Sequence, residues 1–367
     1  MSKMRGTVLL VGSVPLETAE EVYRTCAKAL GPLVDAYPDG EIGERKYWTF
    51  YLPARTYSVH PDLEAVNAPP DGRAHQPEPD ASPEEWARSW WTFRLRPGVT
   101  SLAFPALGYA EEAERSYATF RRLRDDGTIP AAARFQVSFP TTGSAVMGFF
   151  AVPDDWPVVY EAYRRAVRAE VAAIASFVPH DDLTVQWNTA SEVRDILAGD
   201  APLLPWSPTT SLEEKWTRHL QDMNELSGVV PEGAELGYHF CFGTWGGWPK
   251  SYAPDIGICV RLANEAVARA GRRVDYVHMP VVPQPDNAFL APLRELHVGG
   301  TRVFLGLIHP QDGLEGAKRR ISLAKEYLND FGIAAVCGFG RENPRELGNI
   351  LELHKAAAGS LATKSSR

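Results

Sequence analysis

His239 and Cys241, two residues apart in the run Tyr238-His239-Phe240-Cys241, are the side chains of this 367-residue sequence best suited to chemistry. Strand side chains alternate between faces, so both point to one side and present two soft donor atoms on one wall. A third donor, Cys337, ends the strand-like run 333–337 near the far end of the sequence. One imidazole and two thiolates from separate strands, with a fourth position left open, make the donor set of a catalytic zinc site. His239, Cys241 and Cys337 are therefore the expected metal ligands, and Zn2+ the expected cofactor. A thiol entering the open position would lose its proton and become a nucleophile at neutral pH.

Such a site requires the intervening chain to bring its strands together. Eight short β-rich runs, 7–11, 33–36, 135–139, 183–187, 235–241, 274–279, 302–308 and 333–337, alternate with stretches of helical periodicity. Most are apolar and bounded by Gly, Pro, Asp or Asn, as strands covered on both faces are. Among the helical stretches, 18–30 opens on Thr18 followed by Glu21, a capping-box spacing, and 160–177, 255–270 and 316–330 carry apolar residues at helical intervals. Eight strand–helix alternations predict a (β/α)8 TIM barrel. A doubly wound sheet fits less well, because no Gly-x-Gly-x-x-Gly turn follows the first run. The interval between the second and third runs is far longer than an ordinary βα connection. It contains Trp86, Trp90, Trp91 and Phe93, and predicts a long aromatic-rich insertion, about 46–130, that packs on the barrel and can roof its mouth. The expected organisation is one barrel domain over 1–355 and a frayed tail over 356–367.

In a barrel of this kind, chemistry belongs at the C-terminal ends of the strands. Those ends carry Ser13 (first), Glu41 and Arg45 (second), Trp187 and Asn188 (fourth), His239 and Cys241 (fifth), His278 (sixth), His309 (seventh) and Cys337 (eighth). Three histidines and two cysteines thus fall on one rim. His309 is the candidate general acid, Glu41 a base or cation-binding group, and His278 a group able to swing toward the metal. Ser13, Arg45 and Asn188 are candidate substrate-binding residues, Arg45 for a carboxylate or phosphonate and Asn188 by hydrogen bonding. Trp187, Trp245 and Trp248 would line an aromatic pocket. Each also has a purely structural explanation: buried thiols, a histidine holding a strand end, an ion pair between Glu41 and Arg45, tryptophan packing. Cys26 and Cys259, inside helical patterns, are expected to be packing residues.

Composition narrows the function classes. A net charge of −8 supplies no basic footprint, so nucleic acid is not an expected partner, and no apolar run approaches the length of a membrane span. The apolar run 7–11 is too short for the core of a signal peptide. Four cysteines in so long a chain do not make a disulfide framework, which points to a reducing compartment and a cytoplasmic protein.

Over nearly its whole length the chain resembles the catalytic barrel of cobalamin-independent methionine synthase, within the uroporphyrinogen decarboxylase/methionine synthase-like superfamily. The family's Gly-Ser-x-Pro turn matches Gly12-Ser13-Val14-Pro15, and its Gly-Glu-x-x-Arg element matches Gly40-Glu41, with Arg45 one residue further along. Its His-x-Cys metal motif matches His239-Phe240-Cys241, its late Cys-Gly matches Cys337-Gly338, and its proton-donating histidine matches His309. The chain departs from the pattern in two places. Asn188 stands where the family has the aspartate that holds the homocysteine amino group, and Met279-Pro280 where it has a glutamate ligand. In pairing His-x-Cys and a distant Cys with a thiol substrate other than an amino acid, epoxyalkane:coenzyme M transferase is the nearer analogue. The resemblance and its departures together imply a zinc-dependent transferase that activates a thiol for alkyl or methyl transfer, and not methionine synthase itself. Its expected partners are a small-molecule substrate and a thiol co-substrate. The alternative is a zinc- or His/Glu-dependent lyase or hydrolase acting on a small, aromatic molecule.

Overall fold

The computed structural model describes residues 6–70, 72, 81–82, 84–85, 88–244 and 248–362. Its strands are β1 (Val8–Leu9), β2 (Ala36–Pro38), β3 (Leu63–Asn67), β4 (Thr92–Leu95), β5 (Arg134–Pro140), β6 (Leu183–Thr189), β7 (Glu235–Phe240), β8 (Tyr276–Pro280), β9 (Arg302–Ile308) and β10 (Gly332–Ala335). Eight form one parallel sheet in the order β1-β10-β9-β8-β7-β6-β5-β2. A parallel bridge between Val8 and Val34 joins its two edges. The closed sheet, wrapped by helices, is the (β/α)8 barrel that the alternation predicts. Every strand is covered on both sides, which is why the runs read as continuous apolar segments.

Alternating side chains create two cores. The larger lies between sheet and helices. The smaller fills the barrel itself with Leu9, Val11, Tyr276, Phe304 and Ala334. Gly237 makes room for this inner core, since a Cβ there would lie 2.0 Å from the Tyr276 ring. Strand β1 contributes only two residues to the ladder, and buried amides compensate for its shortness. Gln136 Nε2 donates to Leu10 O (3.1 Å), and Gln186 Nε2 donates to Val11 O (2.7 Å). Gln186 Oε1 in turn accepts from the Tyr276 hydroxyl at 2.9 Å, so a hydrogen-bonded layer crosses the barrel below the rim.

The second strand lies at Ala36–Pro38 rather than at 33–36. Gly31–Leu33 is taken up by a 3-10 turn, in which Gly31 has φ +48° and Val34 N donates to Gly31 O at 3.2 Å. The expected capping box at Thr18 is present: Thr18 Oγ1 accepts from Glu21 N, and a Glu21 carboxylate oxygen from Thr18 N. Capping thus fixes where the helix Ala19–Leu30 begins.

The long interval between β2 and β5 has two parts. The helix Tyr109–Asp125 packs Phe120 against Tyr23 and Phe135, as the crossover helix of an ordinary βα unit would. The segment before it carries the antiparallel pair β3–β4, with Trp91 and Phe93 buried and Phe93 edge-on to Tyr57. This pair is tied to the barrel by Phe93 N donating to Phe149 O at 2.7 Å and Ala151 N to Phe93 O at 2.9 Å. Trp86 lies outside the described residues. At the other end, the helix Leu347–Ala362 continues through residues expected in a frayed tail, because Ala357 and Ala358 are buried against the barrel helices. No helix among the described residues is long and apolar enough to cross a membrane.

The inner hydrogen-bonded layer gives a direct test. Gln186→Leu keeps the volume roughly but takes the Gln186 partner from the Tyr276 hydroxyl and Asn188 Oδ1, and leaves the Val11 carbonyl only its longer bond from Gln136 Nε2 (3.3 Å). It is expected to cost about 2–4 kcal/mol in urea unfolding. A loss under about 0.5 kcal/mol, the range of neutral surface changes, would show that the layer contributes nothing to stability.

Candidate metal centre and active site

Parallel registry sets the site. His239 of β7 is paired with Asn188 of β6 on one side and His278 of β8 on the other, so three polar side chains stand abreast at one height of the barrel. Cys241 extends the same face two residues further, its N donating to Thr189 O at 3.0 Å. Cys337 follows the end of β10. His239, Cys241 and Cys337 each offer a ligand atom, and these atoms all lie within 4.8 Å of one another. The two sulfurs are 3.9 Å apart, and both cysteines are free thiols. That separation is far beyond a disulfide bond but close to the ~3.8 Å edge of a tetrahedron with Zn–S bonds of about 2.3 Å.

Proton placement on the histidines follows from their partners. His278 Nε2 lies 3.0 Å from Ala335 O, and a carbonyl can only accept, so the proton sits on Nε2. Burial, with the neighbouring His239, pushes His278 well below the usual histidine range and keeps it neutral, which leaves its Nδ1 an acceptor. His239 Nδ1, 2.7 Å away, must then donate to it. The remaining nitrogen, His239 Nε2, carries a lone pair, is buried, and has no hydrogen-bond partner among the described residues. An orphaned imidazole nitrogen beside two sulfurs is the expected state of a metal ligand. Cys337 is held well below the usual thiol range, first by the hydrogen bond it accepts from Cys241 and further by the adjacent His239 and then Arg341, against the opposing effect of burial. The same hydrogen bond, with burial, pushes Cys241 up, while Gly243 N donates to its sulfur at 3.3 Å.

These atoms form one wall of a cavity of about 190 Å³. Ser13 lies on this wall, but its hydroxyl accepts from Gly340 N (3.2 Å) and its carbonyl from Phe339 N (2.9 Å), so it positions the loop carrying Cys337. Gly338 is required there, since a Cβ would come within 2.4 Å of Ser13 Oγ. Glu41 also faces the cavity, on a backbone with φ +48° stabilised by Glu41 N donating to Asp39 Oδ1 at 3.0 Å. Burial, with the charges of Asp39 and Cys337 adding and Arg45 opposing, raises its carboxyl to about 8. Asn188 lines the cavity, its Oδ1 accepting from Gln186 Nε2 at 2.7 Å.

Other expected site residues lie elsewhere. Trp187 faces outward, fully buried against Phe139, because alternation sends Gln186 and Asn188 inward and their neighbour out. Arg45 is held by Asp39 in a two-pronged pair at 2.8 and 3.2 Å, with Ser116 on the same carboxylate, so both terminal nitrogens of its guanidinium are already engaged. His309 is buried behind the rim, its Nε2 donating to Val281 O at 2.8 Å and its ring 5.4 Å from that of Trp248. Burial, then Arg320, lower it to about 4, so it carries no proton to donate as an imidazolium at neutral pH. His278 is pinned between Ala335 and His239 by hydrogen bonds through both ring nitrogens. Trp245 lies outside the described residues. Trp90, from the insertion expected to roof the mouth, lines the cavity; the rest of the wall went unsuspected in the sequence: Trp48 and Phe149, and Lys46, Arg194 and Arg341 among the basic residues. A signal existed for two of them. Arg194 lies six residues beyond Asn188, within the helix Ser191–Leu197, and Arg341 four beyond Cys337, each in the segment that leaves a rim residue.

No protein-family model matches the sequence, and no curated protein matches it either. Solved structures do match. A Listeria monocytogenes protein described as a vitamin-B12 independent methionine synthase is 14% identical with a TM-score of 0.54, over 94% of this chain and 87% of that one. A B12-independent methionine synthase from Shewanella sp. W3-18-1, solved in complex with selenomethionine, is 12% identical with a TM-score of 0.59, over 93% of this chain and 86% of that one. The chain therefore has the fold of the B12-independent methionine synthases.

Proposed function

We propose that this protein is a zinc-dependent transferase that activates a thiol for alkyl or methyl transfer, with a substrate other than homocysteine. The observation that carries the proposal is the unpartnered, buried Nε2 of His239 facing two sulfurs 3.9 Å apart. His239, Cys241 and Cys337 would hold the zinc. Bound there, zinc would supply a soft Lewis acid able to lower the pKa of a substrate thiol. His278, itself anchored on Ala335, keeps the His239 tautomer correct. The Cys337 loop is kept in place by Ser13, and the apolar wall excludes water from the reacting groups. Glu41, protonated at neutral pH, can give a proton to a leaving group. Neutral Asn188 holds an ammonium group far less well than a carboxylate would, which argues against an amino-acid thiol. The same Glu41 also favours the second reading, a zinc-assisted lyase or hydrolase in which no thiol takes part.

Protein purified without chelator is expected to carry about one zinc per chain, and the Cys337→Ser and His239→Ala variants almost none. In a cobalt-substituted form, added alkyl thiol should alter the visible spectrum as sulfur joins the metal. An absence of zinc defeats both readings; a spectrum indifferent to thiols leaves only the second.

Removal of the ligand's orienting partner is a finer test. His278→Phe is expected to weaken zinc by about 10- to 100-fold in competition with a chromophoric chelator. Unchanged affinity would mean that the histidine pair does not organise the site.

Glu41 makes a pH prediction whose sign is determined. Its carboxyl is raised from an ordinary value of 4.5 to about 8 in the fold, so the folded state binds more protons between those limits. Stability from this group is complete below about 4.5 and is lost as pH rises toward about 8. Glu41→Gln should therefore gain stability relative to wild type between pH 5 and pH 8 in parallel melts. Parallel curves across that window would rule out the raised carboxyl.

A further inference from the structure

The cavity beside the cluster is basic. Arg194 reaches it from the helix after β6. Its Nε donates to Ser251 Oγ at 3.1 Å, and its stem packs where a Cβ on Gly243 would lie 2.9 Å from Arg194 Cδ. Among the described residues no carboxylate pairs with it, although it is largely buried and desolvation lowers its pKa. A guanidinium held by its Nε, with no acid opposite, has its terminal nitrogens available for an incoming anion. Arg341 enters the same cavity from the segment after Cys337, hydrogen-bonded to the Thr244 hydroxyl and again without a carboxylate partner among the described residues. Both arginines are near enough to the cysteines to act on their charges. Lys46 adds to the same wall, where Glu41 is the one carboxylate among the described lining residues. Arg45 and Arg124, by contrast, are neutralised by Asp39 and Asp182.

We propose that Arg194 and Arg341 form an anion subsite beside His239, Cys241 and Cys337, which takes the carboxylate, sulfonate or phosphonate of an organic substrate whose apolar part lies against Trp48, Trp90 and Phe149. This deepens the transferase reading and rests on it only for the statement that the cavity is the active site. The excess of positive charge is incompatible with a cationic or zwitterionic amine held in the same place. It also explains the absence of an acid at Asn188: a carboxylate there would compete with the substrate for the arginines.

The test uses the full chain, with and without zinc, and calorimetric titration of four probes: 3-phenylpropanoate, 3-phenylpropanamide, benzenesulfonate and phenylphosphonate. At least one anion should bind about tenfold or more tighter than the neutral amide, and its affinity should fall as salt rises. The tightest anion identifies the preferred group. Arg194→Gln and Arg341→Gln should each remove most of that preference while leaving amide binding and zinc content unchanged. Arg194→Lys, which keeps the charge, should retain part of it. Equal binding of anions and amide, no binding of any probe, or variants that bind like wild type would overturn the subsite. The wild-type comparison of anions with amide holds even if a variant fails to fold. An anion preference in protein that takes up no zinc would retire the metal reading and leave the subsite standing, so the two failures are distinguishable.

Discussion

The proton that His278 gives to the carbonyl of Ala335 is the constraint on which the site depends. Ala335 is free to accept it because the pairing of β10 with β9 slips there, Ala334 facing Gly306 and Ala335 facing Ile308. A bulge at a barrel rim commonly redirects a group in this way. Once that proton is placed, neutrality leaves one choice for each remaining nitrogen: His278 accepts, His239 donates, and His239 Nε2 turns its lone pair on the cysteines. The chain of three groups joins β10, β8 and β7, so the ligand's orientation is supported by the barrel wall and not by a loop.

The same division of labour runs through the whole fold. At the N-terminal ends of the strands, Arg302 pairs with Asp35 at 2.7 Å and more loosely with Glu235, a closed electrostatic arrangement with its charges satisfied. Above it lies the apolar inner core, with the Gln136 and Gln186 amide nitrogens donating to carbonyls of the short first strand. At the C-terminal rim several incompletely paired polar groups gather around one cavity: the His239 nitrogen, the cysteine pair, the Glu41 carboxyl and the arginines. Unsatisfied groups are costly in a folded core. Their concentration at one end is what separates a site from a scaffold.

Period-two alternation and strand–helix repetition made the barrel legible, since both patterns reflect burial of strands on two faces and survive any detail of packing. The cluster of His239, Cys241 and Cys337 was legible for the same reason, because rim position follows from strand position. Trp187 could have been assigned correctly by that rule, as it alternates with Asn188; its size suggested a pocket where its parity dictated a core. His309 and Arg45 could not be judged without coordinates. Whether a polar side chain is available depends on which acceptor lies beside it, Val281 O in one case and Asp39 in the other. Arg194 and Arg341 could be placed near the rim by their distance from Asn188 and Cys337, but nothing local distinguishes an arginine with a carboxylate partner from one without.

By itself, then, the sequence determined the barrel, the order of its strands and the face on which each strand-borne donor stands, because these depend on periodicity within short segments. Tertiary structure alone decided which donors meet and in which protonation state: the 3.9 Å between Cys241 and Cys337, residues far apart in the chain, and the tautomer of His239, fixed by a carbonyl on another strand. Such distances come from the closure of the sheet, and no local pattern encodes a closure. The pair that opened the reading, His239 and Cys241, owes its wall to sequence and its chemistry to the strands on either side.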